Sequence, residues 1–252
     1  MCITGKMITI IGTIHVVNIA EPIMFFIKQI WPDAVLVELD LTRYNALQGA
    51  QASESKDIES QDKMLKHAAK YQQKLAEGNR STVGNEMLTA VQTGRLVGAE
   101  IGFIDDDAAD TIRRAWGAMT FGEKLRYRLS SIRDRFKGQK DVQKLIDDAK
   151  YADEAMADVR RRYPNFVRVL VDERNEKMAK QILEYSKRFS NMVVVVGDAH
   201  VEGIADLLSD YEVRKIRLAD IVDKDRLDKV RTSLWNRGEN NEGQVVGVHT
   251  ER

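Results

Sequence analysis

The sequence predicts an α/β fold with a mainly parallel central sheet flanked by helices. Two features support this. Three short runs, 7–12, 34–39 and 192–197, are near-continuous Ile, Val and Leu. Such runs mark strands buried on both faces of a covered sheet, whereas half-exposed strands alternate apolar and polar residues. Stretches of helical periodicity separate the runs, and alternation of strand and helix is the signature of this class. Two further runs, 100–104 and 212–218, bring the strand candidates to five.

Taken in order, the first strand reads MITIIG and ends at Gly12, with His15 three residues on. Residues 17–30 carry Ile19, Ile23, Phe26, Ile27 and Ile30 close to a 3.6 period, with Pro22 in the first turns, where proline is tolerated. The second strand, AVLVEL, contains Glu38, and Asp40 beyond it is suited to cap a helix bearing Arg43. A second amphipathic helix is expected over 85–96, where Glu86 in the first turn complements the helix dipole. The strand at 100–104 runs into Asp105, Asp106 and Asp107, at least one of which is expected to cap the helix that follows. In VLVDERNEKMA, Arg174 interrupts the apolar stripe formed by Leu170 and Met178 at spacing four. The fourth strand reads MVVVVG and ends at Gly197, with His200 again three residues on; a helix is expected over 201–208.

Two segments break the alternation. Residues 54–79 are polar, and 108–162 are long, charged and helix-favouring. Both are expected to be helical insertions outside the sheet, with their Lys and Arg mainly on solvated faces. Residues 236–252 are Asn-, Glu- and Gly-rich and expected to be a disordered tail. Residues 1–235 are therefore expected to form one domain.

Composition excludes several classes. Lys plus Arg and Asp plus Glu are 39 each, so the net charge is zero and gives no general drive toward nucleic acid or anionic membrane. The single cysteine, Cys2, allows no internal disulfide and no thiolate cluster. No window is long and apolar enough to span a bilayer, and no signal peptide is expected. These features predict a soluble cytoplasmic protein, a monomer or a homodimer. Walker, G-x-G-x-x-G, His-Glu-x-x-His and G-x-S-x-G motifs are all absent.

The chemistry-bearing residues cluster in expectation. In open parallel sheets ligands bind at the carboxyl ends of the strands, and both Gly-x-x-His segments leave the sheet there. His15 and His200 could thus meet at one edge, as ligands of an ion or as a general base. Glu38, set among Val35, Leu36, Val37 and Leu39, needs a metal, an arginine or a histidine beside it. Arg43 is one candidate partner. Arg174 is expected to be tied to a carboxylate, structural or substrate-borne. Glu173 could orient a histidine or act as a base.

The segments IGTIHVV, VELDLTRYNAL, GNEMLTAV, GAEIGFIDDDAADTIRRAW, VDERNEKMA and VVGDAHVEGI, in this order, resemble the TraB/PrgY pheromone-shutdown family. That family is similar to the TIKI metalloproteases and, more distantly, to the erythromycin-esterase and ChaN-like group. Its hallmarks, two Gly-x-x-His motifs and a glutamate, fall on Gly12 and His15, Gly197 and His200, and Glu38. Arg43, Glu86 and Arg174 fall in flanking motifs, and Asp106 stands where an arginine is expected. The resemblance implies a metal-dependent hydrolase acting on peptides, with manganese, or zinc or cobalt, held by His15, Glu38 and His200. Glu173 or Asp198 would shuttle the proton, Arg174 or Arg43 would steady the site or hold a substrate carboxylate, and Glu86 is a further substrate-side candidate. A metal-independent esterase-like hydrolase and a non-enzymatic peptide or haem binder are the alternatives.

Overall fold

The computed structural model describes residues 3–14, 18–52, 84–134 and 149–242. The elements run β1 (Ile3–Thr13), α1 (Ala20–Ile30), β2 (Ala34–Val37), α2 (Leu41–Ala52), α3 (Asn85–Leu96), β3 (Glu100–Phe103), α4 (Ala108–Ala118), α5 (Phe121–Asp134), α6 (Ala149–Arg162) and α7 (Pro164–Val167). A π-helical turn, Arg168–Asp172, leads into α8 (Glu173–Ser186). Then follow β4 (Asn191–Gly197), α9 (Asp198–Leu207), β5 (Tyr211–Ile216), α10 (Leu218–Val222) and α11 (Lys224–Glu242). Among the described residues the five strands form one sheet in the order β3-β2-β4-β1-β5, and every pairing is parallel.

The continuous apolar runs have a direct cause. Successive side chains of a strand point to opposite faces, and here each face meets helices. On β4, Val193 and Val195 pack into one core with Phe26 of α1 and Met87 and Val91 of α3. Met192, Val194 and Val196 pack into the other, with Met178 and Ile182 of α8 and Val201 and Ile204 of α9. Both sets of alternate positions are therefore buried, and both must be apolar.

All five strand candidates are strands, with ends shifted by a few residues. The last helix of the motif region shifts with a consequence for the site. It was expected from residue 201 but begins at Asp198, so His200 stands in the first turn of α9 rather than in a loop. The segment 54–79 lies outside the described residues. The insertion 108–162 is helical and outside the sheet where it is described, at 108–134 and 149–162. Helix α11 continues to Glu242, into the stretch read as a tail. Among the described residues no helix is long and apolar enough to cross a membrane.

The inserted helices are anchored next to the sheet's carboxyl edge. Arg217, after β5, donates to Asp153 of α6 at 2.9 Å and to Asp198 at 2.7 Å. Arg160 at the end of α6 grips Asp172 with two bonds, 2.6 and 2.7 Å.

Candidate functional site

The register of β1 and β4 sets Thr13 opposite Gly197, so the two Gly-x-x-His segments leave adjacent strands at nearly the same height. Neither Gly12 nor Gly197 has a positive φ, so no special backbone conformation calls for glycine there. The reason is close approach. A Cβ on Gly12 would lie 2.2 Å from Asp198 Oδ1, and one on Gly197 would lie 3.3 Å from Glu38 Oε2. His15 itself lies outside the described residues.

Arg174 is the centre of the cluster. Its Nε donates to Asp105 Oδ1 at 2.9 Å and its Nη2 to Asp105 Oδ2 at 2.7 Å. Nη2 also donates to Glu38 Oε1. Nη1 donates to Leu170 O at 3.2 Å and lies 3.0 Å from His200 Nε2. A guanidinium has five N–H donors, so every one is engaged. Burial disfavours its charge, but the Glu38 and Asp105 carboxylates outweigh this and raise its pKa.

Glu38, placed by the end of β2, accepts from the Gly197 N–H at 2.6 Å through its second oxygen. Among the described residues its arginine partner is thus Arg174, not Arg43. Arg43 lies 3.5 Å from Asp105 instead, with about a third of its side chain exposed. Asp40 caps α2 as expected, accepting from Arg43 N at 2.8 Å. The three consecutive aspartates diverge. Asp105 holds Arg174, Asp106 pairs with Lys177, and Asp107 caps α4 through Asp110 N.

His200 is 5% exposed. Burial lowers its pKa; Glu38 works against that effect and Arg174 with it. Its Nδ1 lies 2.6 Å from Asn175 Oδ1 and its Nε2 lies 3.5 Å from Glu38 Oε1.

Other expected residues sit apart from this contact set. Glu173 is bound by Arg114 at 2.5 Å and by Arg168. Asp198 is bound by Arg217 and accepts from Leu218 N at 2.8 Å. Glu86 is buried in the first turn of α3. Asn175 was not foreseen. The available signal was its place on the buried face of α8 with Met178, Ala179 and Ile182.

The geometry bears on the divalent ion that the resemblance implies. Glu38 Oε1 and His200 Nε2 are 3.5 Å apart, a span that one ion could bridge at ~2.0–2.2 Å per ligand. Arg174, however, already contacts both atoms. Among the described residues no three His, Cys, Asp or Glu converge as a ligand set. In this arrangement Arg174 takes the place between them, and His15, the third expected ligand, lies outside the described residues.

Residues 3–218 match the TraB/PrgY/gumN family. The chain belongs to that family. A curated relative, the uncharacterized protein MJ1365 of Methanocaldococcus jannaschii, is 32% identical over 220 residues, covering 81% of this chain and 54% of the relative. The chain thus spans about half the length of that archaeal protein. The family match takes in β1 to β5, and with them Glu38, Asp105, Arg174, Asn175 and His200.

Proposed function

We propose that this TraB-family chain is a hydrolase of ester or peptide bonds in which His200 activates water without a bound metal. The observation that supports this is the setting of His200: a buried imidazole whose pKa burial lowers, its Nδ1 held by Asn175 and its Nε2 facing Arg174 and Glu38. The cluster also lies at the carboxyl edge of a parallel sheet, where ligands bind in such folds.

In this reading the Arg174 Nη1–His200 contact opens to admit water and substrate. Water donates to His200 Nε2 and attacks the carbonyl carbon while its proton moves to Nε2. Arg174 faces the oxyanion that develops. Glu38 stabilises the imidazolium, which then protonates the leaving group. Arg43, partly exposed at the rim, receives a substrate carboxylate. Glu173 and Asp198 take no part, being committed to arginines.

The test uses the purified full chain, a panel of nitrophenyl esters and a fluorogenic peptide library, each with chelator and with manganese. Turnover is expected to survive chelator and to fall about 10²–10⁴-fold in His200→Gln. Turnover abolished by chelator and restored by manganese would return the catalytic role to a metal. No turnover of any substrate under either condition would leave a binding protein.

A further inference from the structure

Asn175 is a buried amide, 6% exposed, on the helix face that carries Met178, Ala179 and Ile182. Its Oδ1 lies 2.6 Å from His200 Nδ1. An amide oxygen can only accept, so Nδ1 carries the hydrogen. The lone pair of the neutral ring is then at Nε2, where Arg174 Nη1, which can only donate, lies 3.0 Å away. Turning the amide round would force the proton to Nε2 and set two donors against each other. The two contacts therefore agree on one tautomer.

Gly203 makes this seat available. It lies three residues beyond His200 on α9, and a Cβ there would come 2.3 Å from Asn175 Nδ2 and 3.2 Å from Asn175 Cγ. Its φ is not positive, so the position requires space rather than a special backbone conformation. We propose that Asn175, seated against Gly203, is the positioning residue that fixes His200 as the Nδ1–H tautomer and aims its bare Nε2 at the Glu38–Arg174 cluster. This takes from the proposed function only the role of His200 as base; the tautomer is a property of the resting protein.

The experiment is nitrogen-15 NMR of histidine-labelled full chain, with the His200 signals assigned by their loss in His200→Gln. The parent is expected to show a protonated Nδ1 and an unprotonated Nε2. Asn175→Ala is expected to mix the tautomers, and Gly203→Ala to do the same by displacing the amide. Asn175→Asp, which keeps an acceptor, is expected to retain the Nδ1–H form. Where turnover is measurable, each alanine variant is expected to lower kcat by up to about a hundredfold with little change in KM. The double variant should fall no further than either single one, because both act through one contact. A parent protonated at Nε2, an unchanged tautomer in Asn175→Ala, or multiplicative losses in the double variant would overturn the inference. A parent with the Nδ1–H tautomer but no hydrolysis would uphold the positioning and sink the base.

Discussion

Arg174 binds two buried carboxylates, and its loss would leave both without a counter-charge. Arg174→Met is expected to cost about 3–5 kcal/mol, the usual effect of removing one partner of a buried pair, measured by urea unfolding at neutral pH. Adding Glu38→Gln to that variant should recover part of the loss, because the amide removes one stranded charge. A loss below about 1 kcal/mol, typical of exposed pairs, would mean that the cluster is open to water. Arg174, Glu38 and His200 were legible in the sequence because each places a polar group in an apolar stripe or at a strand end. The pairing was not legible. Arg43 lies five residues from Glu38 and looked the nearer partner, whereas Arg174 reaches it from a helix 136 residues away in sequence. Asn175 escaped notice because a single asparagine on an amphipathic helix gives no sign of what it faces.

The elements were more legible than the contacts between them. Apolar runs and helical periods survive in any order of strands, but the close approach of α3 to the sheet depends on one residue. A Cβ on Gly94 would lie 2.7 Å from Ile101 Cδ1 and 2.9 Å from Val35 Cγ2. Val35 is β-branched on a central strand and has little freedom to move. Gly94→Ala is therefore expected to destabilise by about 1–3 kcal/mol through overpacking, despite the better helix propensity of alanine. Gly49 on α2 has nothing within 4 Å of its added Cβ, so Gly49→Ala should instead gain up to about 1 kcal/mol. A Gly94→Ala variant that gains as much as Gly49→Ala in thermal melts would remove the packing account. Helix α5 carries its own pH response. Glu123 accepts from Thr120 N at 2.7 Å and Asn165 N at 2.9 Å, joining the start of α5 to α7. Burial raises its pKa, but these bonds outweigh burial and lower it from 4.5 to about 2. Its contribution is whole above about pH 4.5 and is lost as pH falls toward about 2. The stability gap between the parent and Glu123→Gln should close over that window; a gap constant from pH 5 to 2.5 would refute the carboxylate's role.

At the scale of the molecule, parallel topology gathers residues 38, 105, 174 and 200 at one edge of one sheet. That much followed from strand-helix alternation, since parallel strands all end on the same side. Strand order did not follow, because β1 is placed between β4 and β5 by contacts nearly two hundred residues distant. The arrangement also predicts how the whole chain responds to ions. A ligand that binds only the native state raises its melting temperature. With Arg174 holding the Glu38–His200 gap, millimolar manganese and chelator should give the same melting temperature. A rise of several degrees with manganese, absent in Glu38→Gln, would show that an ion can displace the guanidinium.

The place of β1 also governs how the protein is made. Its neighbours in the sheet are residues 191–197 and 211–216, so β1, made before the other four strands of the sheet, waits for the last two of them before it finds partners. At about 5–20 residues per second, translation leaves this apolar segment unpaired for roughly ten to forty seconds. Among the described residues only β2 and β3 can pair early, through residues 34–37 and 100–103. A polypeptide released before β4 would leave β1 without either of its neighbours and would lack His200.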